Sequence, residues 1–257
     1  MSTSDVAAVD ASSAEIGIVC SLPLEVGAFL GRCQKLKTYS GGPFKFTGGL
    51  YDGIRVAVVE AGTGVSRARR ATLSLLDAHR PAWIVSTGFA GALVPEMKVG
   101  NIVVANEVVG LQGQTLKIDV GMDSNLERGL RVGRMLTVDR MVRTVVEKQD
   151  LARQTGAISV DMETLGVAVA CQEAKTRFMA VRTISDDLSA DLPPEVLSLL
   201  GETGAVRLGA VFGALWKRPS SIKDMWRMRE HAMEAADRLA DFLDGIVVQL
   251  DRATARK

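Results

Sequence analysis

The chain has 257 residues, of which 47% are hydrophobic, so it is long enough to bury the core of one large α/β domain. Its 31 basic and 30 acidic residues nearly cancel, so charge gives no pull toward nucleic acid or an anionic membrane. No apolar run reaches the ~18 residues that a transmembrane segment needs. We predict a single domain over residues 15–257, preceded at residues 1–14 by a disordered tail rather than a signal peptide.

The counts of cysteine and histidine restrict the chemistry. Cys20, Cys33 and Cys171 are an odd number of cysteines in apolar settings, which predicts reduced, buried thiols in a cytoplasmic protein. The only two histidines are His79 and His231, so a metal cluster or a histidine-based catalytic triad is nearly excluded. We therefore expect neither a metal nor a disulfide framework.

The first predicted element is a strand over Glu15–Ser21, whose nearly continuous apolar run is typical of a strand covered on both faces. Pro23 then opens a helix at its first turn, and Glu25 lies in that turn. A carboxylate at this position complements the helix dipole. At the carboxyl end of the first strand it also suits a catalytic base, and the residues alone leave both interpretations open.

The segment Gly41–Val59 predicts a β-hairpin that turns at Tyr51-Asp-Gly53. Gly62 and Gly64 then separate a strand from the helix Ser66–His79. Glycines at such a junction let backbone N–H groups face an anion or a sugar, although a plain tight turn explains them equally well.

A buried strand and a glycine turn follow over Pro81–Leu93, where Gly88 and Gly91 allow the backbone to approach a ligand closely. Later elements are predicted as strands at Ile102–Val109 and Arg131–Val138, a helical stretch that follows Asp139–Val142 and runs to about Arg153, and a helix over Ser221–Leu250.

The region Ile158–Asp187 places acidic side chains where apolar runs end. One short run ends at Asp161 and Glu163, just before a helix, and a second run ends at Asp186. Open α/β sheets form their ligand crevice at such strand ends, which predicts that these acids face one crevice. Taken singly, Glu163 is equally a first-turn helix acid, and Asp186 fits a helix N-cap better than a catalytic acid.

Six short motifs occur in a fixed order between Glu15 and Asp187. They are Ile16-Gly-Ile-Val with Glu25, Ala61-Gly-Thr-Gly64, Ser86-Thr-Gly-Phe-Ala-Gly-Ala-Leu93, Lys98-Val-Gly-Asn-Ile-Val-Val104, Asp161-Met-Glu163 and Arg182-Thr-Ile-Ser-Asp186. Each motif is modest alone, but six in order resemble the purine nucleoside phosphorylase and nucleosidase superfamily, most closely the methylthioadenosine/S-adenosylhomocysteine nucleosidases. This resemblance implies a three-layer α/β/α fold with a central mixed, partly barrel-like sheet.

The resemblance also implies a role for each acid. Breaking a nucleoside N-glycosidic bond passes through an oxocarbenium-like sugar and needs an acid at the base, a held ribose and an activated nucleophile. By resemblance Asp186 is the acid, Glu163 binds ribose hydroxyls, Glu25 activates water and Arg182 orients the site. The other implied substrate-binding residues are Met162 on the sugar, Met141 and Val142 around the purine, Ser185 beside the acid, and Phe89, Ala90, Gly91 and Gly62 along the pocket.

The glycine turn favours water over phosphate as the nucleophile. The phosphorylase branch holds phosphate with an arginine and a serine, and the corresponding positions here are Ser86 and Phe89. Glu25 would also repel phosphate. Phe89 departs from the nucleosidase pattern as well, since a small serine is expected there, and a bulky ring alters the water site.

We predict a cofactor-independent N-glycosyl hydrolase that removes a purine, by resemblance adenine, from a small-molecule nucleoside with a 5′ substituent. The resemblance implies a homo-oligomer, a dimer or higher, in which a neighbour closes each pocket. Alternatives are a phosphate-dependent phosphorylase and a non-catalytic nucleoside-binding protein.

The C-terminal segment differs from that of the short nucleosidases by an added helical piece at about 188–230, which carries Trp216 and Trp226. It is either extra core or subunit contact, or a lid or membrane-surface patch for a lipid-like 5′ substituent. The second interpretation resembles hopanoid-associated nucleosidases, which act on an adenosyl lipid.

Overall fold

The computed structural model describes the backbone of residues 13–194 and 220–255 and the side chains of residues 13–194 and 229–255. Residues 1–12 of the predicted tail and residues 195–219 of the predicted added helical piece, including Trp216, lie outside these described parts, as does the side chain of Trp226. The elements in chain order are β1 (Ile16–Cys20), α1 (Pro23–Leu30), β2 (Gln34–Gly41), β3 (Phe44–Tyr51), β4 (Ile54–Glu60), α2 (Val65–His79), β5 (Trp83–Ala92), β6 (Ile102–Gly110), β7 (Thr115–Lys117), a 3₁₀ turn (Leu126–Arg128), β8 (Leu130–Thr137), α3 (Val145–Thr155), β9 (Ser159–Asp161), α4 (Thr164–Glu173), β10 (Arg177–Asp186) and α5 (Ser220–Ala255).

The described strands form one mixed sheet in the spatial order β10-β6-β8-β9-β5-β1-β4-β3-β2, with β7 paired to β6. β10 also pairs in parallel with β5 over most of its length, so β5, β10, β6, β8 and β9 close into a ring. Closure gives these strands partners on both sides and leaves no free edge among them. The prediction of a mixed, partly barrel-like sheet is confirmed.

Helices cover both faces of the open part of the sheet, which produces the three predicted layers. α1 and α5 pack on one face, where Phe29 and Leu243 join the buried side chains of β1 and β4. α2 and α4 pack on the other face, where Leu75 and Val167 meet Val59. Full burial of one such side chain stabilises the fold by about 1.5–3 kcal/mol.

The predicted hairpin is present, because β3 and β4 pair antiparallel and Tyr51 lies opposite Ile54. Asp52 and Gly53 both have positive φ, at 49° and 80°, which is the conformation that a tight two-residue hairpin turn requires. β2 adds an edge strand beyond this hairpin that the sequence did not predict. Every residue of β2 up to Ser40 is exposed, so it lacks the apolar alternation that predicts strands.

The helix expected after Val142 begins at Val145. The Thr144 hydroxyl caps it by accepting a hydrogen bond from the Glu147 amide at 3.2 Å, and Gly156 ends it with a φ of 67°. The chain from Asp139 to Arg143 precedes this helix as a loop. This loop crosses the end of the sheet and leaves Met141 and Val142 near the strand ends described below.

α5 extends slightly beyond the helix predicted at Ser221–Leu250. Within the described residues, no helix combines the length and the apolar character that crossing a bilayer requires. Of the three cysteines, Cys20 and Cys171 are buried as predicted, but Cys33 is only half-buried. It lies just beyond the end of α1, where part of the thiol stays accessible.

Candidate active site

A cavity of about 180 Å³ opens at one end of the sheet, where β1, β5, β9 and β10 finish. Glu25, Glu163 and Asp186 come from distant parts of the chain and all line it. Ten of the twelve residues predicted for the site lie in this lining: Glu25, Phe89, Ala90, Gly91, Met141, Val142, Met162, Glu163, Ser185 and Asp186.

Glu25 is buried in the first turn of α1 and is held by backbone donors. Its Oε2 accepts hydrogen bonds from the amides of Ser21 at 2.7 Å and Leu22 at 2.9 Å, while Oε1 accepts one from Phe89 at 3.1 Å. Gly88 makes this approach feasible, because a Cβ at Gly88 would lie 2.6 Å from Glu25 Oε1. Burial raises the pKa of Glu25, although these amides and the charge of Arg182 act in the opposite direction.

Glu163 precedes α4 and is also buried. Its Oε1 accepts a hydrogen bond from the Gly64 amide at 2.8 Å, so the glycine turn before α2 does face an anion, one supplied by the protein itself. Gly166 allows α4 to approach α2, since a Cβ there would lie only 2.2 Å from the Val65 carbonyl oxygen. Burial, reinforced by the nearby charge of Asp161, raises the pKa of Glu163 to about 8.

Beneath these two acids lies a buried ion pair between Asp161 and Arg182. The Arg182 Nε and Nη2 atoms lie 2.9 Å and 2.7 Å from Asp161 Oδ2, and Nη2 also donates to the Ser86 hydroxyl at 3.0 Å. Asp161 accepts further hydrogen bonds from the hydroxyls of Thr137 and Thr164. Because the charges and polar atoms of this ion pair have partners, the pair is fixed in position below Glu25 and Glu163.

Asp186 lies at the other end of the cavity, at the end of β10, and its environment is different. The Lys148 ammonium forms an ion pair with Oδ2, and the Ser185 hydroxyl donates to Oδ1 at 2.8 Å. Lys148 Nζ also donates to the Asp187 carbonyl oxygen at 3.2 Å. The side chain of Asp186 is 19% exposed and that of Lys148 is 0% exposed, so the carboxylate separates the ammonium from the cavity.

Two predicted residues are absent from the lining of the cavity. Arg182 lies below it and reaches it only through its charge and through Asp161. Gly62 lies behind Thr63, which lines the cavity instead, and the Arg67 guanidinium occupies the space that a Cβ at Gly62 would need. Gly62 was predicted to line the pocket with its backbone, but it is not among the lining residues, and Arg67 is anchored beside it on the Ala61 carbonyl oxygen at 2.9 Å.

Lys148 was not predicted, and Asp161 was predicted only to face the crevice, without a task there. Val145, Lys148 and Leu151 recur at a spacing of three, so they share one face of α3, and a lysine on an otherwise apolar face was the available signal. The remaining lining residues that were not predicted are Ser21, Leu22, Thr63, Val138, Arg140, Val160 and Leu192. Across the residues the structure describes, no group of three or more His, Cys, Asp or Glu side chains is arranged to hold a metal ion.

Comparison with known proteins identifies the class. A family model described as the phosphorylase superfamily matches residues 15–123 and 119–205. These two segments cover well over half of the chain, and the chain therefore belongs to this superfamily.

Curated relatives and solved structures narrow the comparison to nucleosidases. The 5′-methylthioadenosine/S-adenosylhomocysteine nucleosidase of Staphylococcus aureus (strain MRSA252) is 25% identical over 195 residues, which is 66% of this chain and 86% of the relative. The Bacillus subtilis (strain 168) enzyme of that name is 25% identical over 197 residues, 66% of this chain and 85% of the relative. The prediction of an N-glycosyl hydrolase of the nucleoside phosphorylase superfamily is confirmed at this level.

Two solved structures support the fold. The Helicobacter pylori 5′-methylthioadenosine/S-adenosylhomocysteine nucleosidase with butyl-thio-DADMe-Immucillin-A superimposes with a TM-score of 0.70 at 20% identity, covering 92% of this chain and 99% of that chain. The futalosine hydrolase of Helicobacter pylori strain 26695 gives 0.69 at 18% identity, covering 91% and 97%. Enzymes with different names therefore share this fold.

Proposed function

We propose that the protein hydrolyses the N-glycosidic bond of a 5′-substituted purine nucleoside and releases adenine. The observation that carries the proposal is the convergence of Glu25, Glu163 and Asp186 on one cavity. The reaction needs a nucleophile, a held sugar and an acid at the departing base. The environments of the three acids support one of these tasks each.

Glu25 would activate the water. A general base works best when its pKa lies near the working pH, and burial moves the pKa of Glu25 upward from its usual acidic value. The amides of Ser21, Leu22 and Phe89 fix the carboxylate, so a water bound to it would be oriented before the substrate arrives. A fixed carboxylate in this position also repels phosphate, which supports hydrolysis rather than phosphorolysis.

Glu163 would hold the ribose hydroxyls. The Gly64 amide donates to its Oε1 and the Met162 amide donates to its Oε2 at 3.3 Å, so each oxygen of this cavity-lining carboxylate keeps a lone pair that can accept from a hydroxyl donor. A hydroxyl that donates to the carboxylate favours its ionised form, so ribose binding would lower the raised pKa of Glu163. Binding of the sugar would thus place a negative charge beside the developing oxocarbenium ion.

Asp186 would act on the leaving base, with Met141 and Val142 packed around the purine. The Asp186 carboxyl and the buried Val142 both line the cavity, which supports a site for a flat apolar ring with polar edges. Adenine as the base and a thioether or similar 5′ group are proposed because the curated relatives are named for methylthioadenosine and S-adenosylhomocysteine.

The test measures free base after incubation with methylthioadenosine, S-adenosylhomocysteine and a hypoxanthine nucleoside, each with and without phosphate. We expect adenine and a free sugar in phosphate-free buffer. In Glu25→Gln, kcat should fall by about 10²- to 10⁴-fold, the usual contribution of a general base.

Glu60→Gln is the matched control for this variant. Glu60 is also a strand-end glutamate, but it pairs with Lys45 and does not line the cavity, so its loss should leave kcat close to that of the wild type. Product that appears only with phosphate, as a sugar phosphate, would contradict the proposal. Tight nucleoside binding without any free base would contradict it as well.

A further inference from the structure

Lys148 is a lysine whose side chain is wholly buried inside the fold. It lies on the first turn and a half of α3, where the positive end of the helix dipole disfavours a cation. Removing an ammonium from water is costly as well, and a methionine of similar length would fill the same space without that cost. Both effects oppose Lys148, so its presence points to a role in its ion pair with Asp186.

The contacts around Asp186 leave one oxygen available to a ligand. Oδ2 is taken by the Lys148 ammonium, whereas Oδ1 receives only the Ser185 hydroxyl. Gly91 lies against this pair, because a Cβ there would be 3.0 Å from Asp186 Oδ2 and 3.5 Å from Lys148 Cε. The ammonium therefore sits behind the carboxyl, and Oδ1 is the oxygen that can meet a base in the cavity.

We propose that Lys148 is a positioning residue for departure of the base, acting through Asp186; this rests on the proposed role of Asp186 as the acid. Asp186 is ion-paired before the reaction, so it first takes a proton from solvent onto Oδ1. As the glycosidic C–N bond breaks, its electron pair goes to the base, and this proton passes from Oδ1 to a ring nitrogen. The ion pair with Lys148 holds Oδ2 throughout and is stronger once the carboxylate has re-formed than while Asp186 carries the proton, so it favours the transfer step rather than substrate binding.

This difference predicts an effect on kcat rather than on KM. In Lys148→Met the developing carboxylate has no cation behind it, and kcat for an adenine nucleoside should fall by about 10- to 100-fold. KM should stay within about threefold, because the ground-state complex loses little. Lys98→Met is the control, since Lys98 is an exposed lysine near Asp187 that does not line the cavity.

The decisive measurement compares two leaving groups. A 4-nitrophenyl riboside releases a stable phenolate that needs no proton, so Lys148→Met should cleave it within about threefold of the wild-type rate. A purely structural role would impair both substrates alike. Equal losses on both substrates, or a wild-type kcat on the adenine nucleoside, would overturn the proposal.

Two further variants cover the cases in which Lys148→Met does not fold or the wild type does not cleave the riboside. Lys148→Gln keeps a donor to Asp186 without the charge and replaces the methionine variant if that one does not fold; its kcat should also fall. If the wild type does not cleave the riboside, Lys148→Met combined with Asp186→Asn decides. No further loss beyond Asp186→Asn alone supports action through Asp186, and an additive loss overturns it. A wild type that releases no adenine would instead sink the proposed function, and this inference with it.

Discussion

The two ends of the cavity hold the same kind of side chain in opposite surroundings. At one end, Glu25 and Glu163 are buried and are fixed mainly by backbone amides, and burial raises the pKa of each. At the other end, Asp186 is partly exposed and is fixed by the Lys148 ammonium and the Ser185 hydroxyl. Carboxylates in one small cavity thus acquire different chemistry from their neighbours, which is how a site assigns separate tasks to similar groups.

The largest loss of stability is expected when the buried ion pair below Glu25 and Glu163 is broken. Arg182→Met leaves Asp161 charged, buried and without its cation, and this should lower the free energy of unfolding by about 3–5 kcal/mol. Denaturant unfolding measures the change. The control is Arg69→Met, because Arg69 pairs with Glu173 at an exposed site and such pairs contribute about 1 kcal/mol or less. Similar losses in the two variants would show that Asp161 is not held as the structure indicates.

A second prediction concerns the pH dependence of stability. Since the pKa of Glu163 is raised from 4.5 to about 8, the folded protein binds more protons than the unfolded chain between these values. Stability should therefore fall as the pH rises through this window, by about 2–4 kcal/mol from this residue, and level off above it. Glu25 contributes with the same sign.

Denaturant unfolding between pH 5 and pH 9 measures this slope. Glu163→Gln should flatten it, because a neutral amide has no proton to lose. A slope that is unchanged in this variant would mean that Glu163 is already ionised in the folded protein at pH 5.

A third experiment compares the two ends directly through glycine substitutions. Gly88 has a φ of 148° and a Cβ there would lie 2.6 Å from Glu25, so Gly88→Ala should cost about 1–3 kcal/mol of stability and displace the carboxylate. Gly91→Ala brings a Cβ within 3.0 Å of Asp186 and needs only a small shift. The midpoint temperature of thermal unfolding and kcat should both fall more for Gly88→Ala than for Gly91→Ala. The reverse order would show that the end of the cavity that contains Asp186 is the more tightly packed one.

The smallest effect is expected for Ser185→Ala. It removes the hydroxyl that donates to Asp186 Oδ1 but leaves the Lys148 ion pair, so the loss should be about 1 kcal/mol, or about tenfold at most in kcat. Steady-state kinetics measure this loss. A much larger loss would mean that Ser185, rather than Lys148, mainly fixes Asp186.

Much of the sheet was predictable because local patterns determine it. The continuous apolar run of β1 and the turn at Asp52-Gly53 needed no tertiary information, and both occur where predicted. β2 was missed because pairing with β3, rather than its own apolar pattern, makes it a strand. The start of α3 at Val145 was predicted only approximately, because it depends on the Thr144 cap, a contact that periodicity does not contain.

The site was less predictable from local sequence. Glu25, Glu163 and Asp186 each fitted a helix-end role when taken alone, and only six motifs in order pointed to a shared cavity. Lys148 could be recognised as part of the site only through its ion pair with Asp186, which lies far along the chain. Similarly, the Arg67 side chain lies against Gly62 across a turn. Such contacts arise only when the chain has folded. The predicted roles of Trp216 and the added helical piece remain predictions, since residues 195–219 lie outside the described residues.

The closed ring has a consequence for how the molecule forms. Its closing seam joins Trp83 on β5 to Arg177 on β10, two segments that synthesis produces far apart. Pairing of such distant segments is slow, because the entropy of the long intervening loop is lost before the contacts form. A chain that has not yet been synthesised through β10 lacks both the β5–β10 pairing and the Asp186 carboxyl. Catalytic activity should therefore appear only late in folding, together with closure of the ring.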